Sequence, residues 1–161
     1  MPVPPFITAL RSHIGTSLLW LPGVTGVVLD DTDRVLLGRR ADNGRWALPS
    51  GILEPGEQPA RGLVREVAEE TGVDVRIHAL TSVGAGEEVR YPNGDRSQYL
   101  DLTFWCEPVG GEAHVADDES LAVAWYPLHQ LPADLTASSR ERLGHALAFR
   151  ADPTAGPHFT R

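Results

Sequence analysis

Three glutamates, Glu66, Glu69 and Glu70, stand at i, i+3 and i+4 in a stretch rich in helix-forming residues. At about 100° per residue they lie on one edge of a helix, within roughly 100° of one another. Leu63, Val67, Ala60, Val64 and Ala68 take the adjoining arc, so such a helix would bury one side and carry carboxylates along its border. Like charges at these spacings repel by roughly 0.2–0.5 kcal/mol per pair, and helix formation alone does not offset that. A hard divalent cation does. Mg²⁺ takes a few carboxylate oxygens, keeps several waters and completes its shell with phosphate oxygens. Held there, it neutralises a pyrophosphate and activates water for in-line attack. A solvated acidic helix face is the alternative, and these three residues alone leave both readings open.

The elements that must position the carboxylates follow from the punctuation around them. Pro59 suits a first helical turn and Gly72 a left-handed stop, which predicts a helix over residues 59–71. Gly62 on its acidic side is read as leaving room for a substrate. Before it, the apolar runs 24–29 and 34–39 flank the turn-forming Asp30-Asp31-Thr32-Asp33 and predict a hairpin. A loop over 41–45 leads to Trp46-Ala47-Leu48-Pro49, and Pro55-Gly56 turns the chain into the helix.

After the helix, extended segments are predicted over 75–80 and 83–91, with Asn93-Gly94 as a tight turn into a strand over 98–106. A short strand over 122–126 and a helix over 138–149 complete the pattern. The proline-rich opening reads as a loose start followed by a short packing element, and the tail after Arg150 as disordered. Strands around two helices with no internal repeat give one α+β domain.

Composition narrows the function classes. The chain has 161 residues, 42% of them apolar, and a formal charge of −8, with a pI near 5.1. That balance argues against a nucleic-acid surface, which needs clustered basic residues. All 14 basic residues are arginines, whose planar forks suit bidentate phosphate contacts. No window has the roughly 20 apolar residues of a membrane span, and the N-terminus lacks a signal-peptide pattern, so no membrane is implied and a cytoplasmic location is expected. Cys106, the single cysteine, excludes an internal disulfide framework and reads as a core thiol.

Gly51, five residues, Glu57, seven residues, Arg65-Glu66-Val67, one residue, Glu69-Glu70, one residue, Gly72-Val73 fills every fixed position of the Nudix box. The flanks Val35-Leu36-Leu37-Gly38-Arg39-Arg40, Trp46-Ala47-Leu48-Pro49 and Glu54-Pro55-Gly56-Glu57 extend the resemblance to Nudix hydrolases across most of residues 24–126. Ser50 departs from the family, which usually has glycine there.

The resemblance implies an α/β/α sandwich with a mixed β-sheet over residues 24–150, an N-terminal extension over 1–23 and a tail over 151–161. It implies that Glu66, Glu69, Glu70 and the Gly51 carbonyl hold Mg²⁺, with Mn²⁺ as a substitute, that Arg65 orients the carboxylates, and that Glu57 belongs to the metal site from the helix start. A later acid serves as ligand or base, with Glu119 ahead of Asp118 and Asp117. Arg39, Arg40, Trp46 and Tyr91 are the substrate-binding candidates.

The chemistry implied is hydrolysis of a phosphoanhydride bond in a nucleoside diphosphate linked to another group, such as ADP-ribose, a nucleotide sugar or a dinucleoside polyphosphate. Alternatives are an oxidised nucleoside triphosphate such as 8-oxo-dGTP as substrate, a nucleotide sensor without turnover, and an isoprenoid diphosphate isomerase, which would need a cysteine placed for protonation. A small-molecule nucleotide is the partner expected, and a homodimer is compatible with the resemblance.

Overall fold

The computed structural model describes residues 3–117 and 119–160. The chain runs α1 (Pro5–Ile14), β1 (Leu18–Val28), β2 (Arg34–Arg40), β3 (Trp46–Ala47), β4 (Ser50–Ile52), α2 (Pro59–Thr71), β5 (Val73–Ala85), β6 (Val89–Arg90), β7 (Arg96–Gly111), β8 (Ser120–Pro127), α3 (Ala137–Ala151) and a 3₁₀ turn at Pro153–Ala155. Two sheets form. The larger has the order β4-β1-β7-β5 with β6 paired to β7, and the smaller has the order β3-β2-β8. β1 and β7 are parallel and the other pairs are antiparallel, so the larger sheet is mixed, as expected.

Alternation along β1 sorts the core into two layers. Val24 and Val28 join Leu63 and Val67 of α2 on one face. Val27 and Leu29 join Leu143 and Ala146 of α3 on the other. Gly26 fixes how closely α2 approaches: a Cβ there would meet Val67 Cγ2 at 3.2 Å and Leu63 Cδ1 at 3.3 Å. The helix over 59–71 forms as predicted, with Pro59 in its first turn and Gly72 left-handed at φ 71°. At the Asn93-Gly94 turn, Gly94 has φ 90° and Tyr91 N–H donates to Asp95 O at 2.9 Å.

Expectations for the opening segment, for the strands after α2 and for the tail are corrected. The opening segment contains α1, which rests Ile7 on Leu19 and Leu21. β1 begins at Leu18, so the boundary expected at residue 23 falls inside a strand. Pro22 masked it, yet a proline is tolerated because it lies one residue before the β4 ladder starts at Gly23–Ile52. The extended segments 75–80 and 83–91 are largely one strand, β5, whose register against β7 shifts at three places.

The tail expected to be disordered is docked. His158 N–H donates to Thr81 O at 2.8 Å and His158 O accepts from Val83 N–H at 2.9 Å, while the His158 ring stacks on His145 of α3 at 3.8 Å. Backbone pairing to the β5 edge and ring stacking hold a segment whose composition gave no such sign. Among the described residues no helix is long and apolar enough to cross a membrane.

Candidate active site

Arg65 organises the carboxylates of α2. Its Nε and Nη2 donate to Glu57 Oε1 and Oε2, both at 2.9 Å, a fork-to-fork pair of the strong charge-assisted kind. Its Nη1 donates to Glu66 Oε1 at 3.0 Å and Glu69 Oε2 at 3.1 Å. The pairing with Arg65 holds Glu57 below the usual carboxylate range. Glu57 Oε2 also accepts from Glu54 N–H at 3.1 Å, which ties the turn before the helix to the arginine. Arg65→Lys is expected to lower kcat by about 10- to 100-fold, because a point charge cannot hold three carboxylates in register. Steady-state kinetics with metal titration checks this; unchanged kcat and unchanged metal dependence would remove Arg65 from the site.

Glu66 is buried, with 1% of its surface exposed, and lies directly against Gly51. A Cβ on Gly51 would stand 1.9 Å from Glu66 Cδ, so only glycine fits under that carboxylate. Burial pushes the Glu66 carboxyl up to about 7, against the pull of Arg65. One turn on, burial and then the charge of Glu66 push Glu70 up to about 8, although Ser50 N–H donates to Glu70 Oε2 at 3.2 Å. Asp117 raises Glu70 further. Two adjacent buried carboxyls are therefore costly to ionise without a cation beside them.

Glu70 opens into a cavity of about 270 Å³ between the box loop and the smaller sheet. Arg40, Asp42, Ser50, Glu119 and Ser120 share its wall. A carboxylate-lined cavity with one arginine at its side suits a phosphate accompanied by divalent metal.

The family model for the NUDIX domain matches residues 20–146. The chain belongs to the NUDIX family. It is 41% identical over 138 residues to a MutT-like protein of Streptomyces ambofaciens, covering 84% of this chain and 79% of that protein. It is 39% identical over 120 residues to the 8-oxo-dGDP phosphatase NUDT18 of Homo sapiens, covering 71% of this chain but only 34% of that protein. Among solved structures, a MutT NUDIX hydrolase from Burkholderia pseudomallei superposes with a TM-score of 0.65 at 26% identity, covering 79% of this chain and 98% of that one. The α+β sandwich is thus the Nudix fold, and the enzyme class is Nudix pyrophosphohydrolase.

Against that frame of a Nudix site, the residues singled out in the sequence divide. Glu66, Glu69, Glu70, Arg65 and Gly51 are gathered on one border of α2. Glu57 joins them through Arg65, which engages both of its carboxylate oxygens, so it anchors the arginine. Glu119 lines the cavity with Glu70; Asp117 acts on Glu70 through its charge, and Asp118 lies outside the described residues.

Of the substrate candidates, Arg40 lines the cavity, whereas Arg39 turns away and donates from Nε to Gly44 O at 2.8 Å. Trp46 also lies off the cavity wall, edge-on to Tyr126 at 5.0 Å and packed on the α3-side core. Tyr91 shares a hydrogen bond with Tyr99 at 2.8 Å and is not among the residues lining the cavity. Gly62 makes room for protein and not for substrate: a Cβ there would meet Leu53 Cδ2 at 2.4 Å and Glu57 Cδ at 2.9 Å. Cys106 is buried and its thiol is pushed up to about 12 by that burial, which is poor placement for the protonation chemistry of an isomerase.

Sequence reasoning missed Asp42 and the Ser50 N–H. Backbone donors leave no trace in residue types, but Asp42, two positions from Arg40, was legible as a charge pair.

Among the described residues no three histidine, cysteine, aspartate or glutamate side chains form a ready-made metal cage. The donor chemistry still fits Mg²⁺, which takes few protein carboxylates and fills its octahedron with water and phosphate oxygens. Hard oxygen donors on Glu66 and Glu70, both costly to keep ionised alone, are the groups such a cation would stabilise.

Proposed function

We propose that this Nudix enzyme hydrolyses a phosphoanhydride bond in a nucleoside diphosphate linked to another group, such as ADP-ribose, a nucleotide sugar or a dinucleoside polyphosphate, with Mg²⁺ as cofactor. The observation that carries the reading is Glu70 at the wall of a cavity that also holds Arg40 and Glu119, with the buried Glu66 one turn before it and the carboxyls of Glu66 and Glu70 pushed up to about 7 and 8. Glu66, Glu69, Glu70 and the Gly51 carbonyl would hold the metal, which when bound neutralises the diphosphate and acidifies a water.

The chain's own residues supply the rest. Arg65 keeps Glu66 and Glu69 oriented. Arg40 binds a phosphate from the cavity side, and Tyr91 is a further candidate contact for the group beyond it. Water oxygen attacks one phosphorus, the bridging P–O bond breaks, and Glu119 takes the proton released by the water. Beyond the diphosphate, substrate choice belongs to the loops around the cavity.

An oxidised purine nucleotide is a second reading. It is favoured by the 39% identity to a relative named as an 8-oxo-dGDP phosphatase, and it shares the same diphosphate chemistry. Incubation with ADP-ribose, UDP-glucose, diadenosine tetraphosphate, 8-oxo-dGDP and 8-oxo-dGTP, with and without Mg²⁺ and with products resolved by chromatography, tests both. Mg²⁺-dependent release of a nucleoside monophosphate from one of them is expected. Tight binding of one compound with no turnover of any would replace the hydrolase with a sensor.

A further inference from the structure

Arg40 is the single cation among the described residues lining the cavity, facing Glu70, Glu119 and Asp42. Its phosphate-binding fork is already engaged. Arg40 Nε donates to Asp42 Oδ1 at 2.9 Å and Nη2 to Asp42 Oδ2 at 2.6 Å, the same two-pronged geometry by which guanidinium grips a phosphate. The tight turn that brings Asp42 back over Arg40 is closed by Gly44 N–H donating to Arg40 O at 2.9 Å. The pair stands at the mouth, with side chains 46% and 56% exposed, so it contributes little to folding. It sits where a phosphate approaching Glu70 would first meet positive charge.

We propose that Asp42 is a built-in competitor for the cavity's arginine: its carboxylate occupies the position on Arg40 that a substrate phosphate takes, and the two exchange on binding. This rests on the reading of the cavity as a diphosphate site. The exchange is feasible because an exposed local pair is weak, whereas a diphosphate brings more charge and further contacts. The arrangement sets the affinity of every ligand of Arg40 below what Arg40 alone would give, by one common factor. Asp42 is thereby an affinity-setting residue that touches no reacting atom.

The test is a double-mutant cycle on the full chain. Methylenediphosphonate, whose P–C–P bridge is not hydrolysed, is titrated calorimetrically at saturating Mg²⁺. Asp42→Asn is expected to tighten binding by about twofold to fivefold, the upper part of the range of an exposed ion pair, and Asp42→Ser to do the same. Asp42→Glu keeps the charge and should stay near the parent. Arg40→Ala should weaken binding, and in that background Asp42→Asn should change it by less than about twofold.

Inorganic phosphate, run alongside, should gain by the same factor as the diphosphonate, because an internal competitor lowers the affinity of every ligand of Arg40 equally. Weaker or unchanged binding in Asp42→Asn would overturn the proposal, since Asp42 would then be preorganising Arg40. A gain that persists without Arg40 would overturn it too, as a general effect of net charge. If the cycle behaves as expected but no nucleotide is turned over, the hydrolase reading fails and the competitor stands. Turnover with a flat cycle gives the reverse.

Discussion

Glu70→Gln is expected to lower turnover on the order of 10³-fold while making the metal-free protein more heat-stable at pH 8. Both effects have one origin. Burial, with the charge of Glu66 next, raises the folded carboxyl to about 8 from its ordinary 4.5. Below about pH 4.5 the folded and unfolded chains are both protonated there, and the group costs nothing. Between 4.5 and 8 the unfolded chain releases a proton that the folded one keeps, so stability falls as pH rises, and above about 8 the full cost is present. Glu66, raised to about 7, acts in the same direction.

Glutamine imitates the protonated form, so the variant should gain on the order of 2 kcal/mol at pH 8, several degrees in Tm, and almost nothing at pH 5. If Mg²⁺ is the metal, as proposed, it would hold the ionised form, and so should stabilise the parent protein far more at pH 8 than at pH 5.5 and stabilise the variant little at either. Thermal melts at both pH values, with and without Mg²⁺, decide it. A variant that melts lower than the parent at pH 8, or gains equally at both pH values, would contradict the buried-charge account.

Gly51→Ala should be nearly as damaging to activity and, unlike Glu70→Gln, damaging to the fold. The new methyl would lie 1.9 Å from Glu66 Cδ and 2.2 and 2.4 Å from its oxygens, so one of the two must move. The helix has little room to withdraw, because Leu63 and Val67 are already pressed against Gly26. Displacing Glu66 then pulls on Arg65 and, through it, on Glu57 and Glu69. A loss of about 3 kcal/mol, or roughly 6–12 °C in Tm, should accompany a drop in kcat of at least about 100-fold. Calorimetry and kinetics on the same preparation would show it, and a Tm within a degree of the parent would mean that Glu66 has a second position available.

What was legible in the sequence was what repeats or punctuates. The helix over 59–71 was readable because apolar spacing, Pro59 and Gly72 agreed, and the acidic border came with it. α1 was not, because prolines at positions 2, 4 and 5 look like coil until Pro5 is seen to occupy a first helical turn. The docked tail was hidden because backbone pairing to an edge strand and one histidine stack need no pattern in the tail itself.

In the site, Glu66, Glu69 and Glu70 were evident from spacing and Arg65 from the resemblance to the Nudix box, but the substrate candidates were not sorted. Arg39 and Arg40 are neighbours on β2, at a step where its register against β8 shifts; Gly38 and Arg40 took the cavity side, while Arg39 bonds Gly44 O. Across the ladder, Trp46 pairs with Arg39 and Ala47 with Gly38, so alternation along β3 put the alanine in the cavity wall and the tryptophan in the core. Which face would meet the cavity is decided by the second sheet, far away in sequence.

The parallel ladder between β1 and β7 sets Leu18 beside Arg96 and Val28 beside Cys106. Every contact along it closes a long stretch of chain, and loop-closure entropy must be overcome before any of those contacts helps. The neighbouring β5 and β7 lie closer in sequence and can pair first as an antiparallel unit. β1 is then the strand that arrives late, and it carries Gly26, against which α2 seats, and the ladder to β4 that places Gly51. The carboxylate border of α2 is consequently assembled near the end of folding, after most of the sheet that supports it has formed.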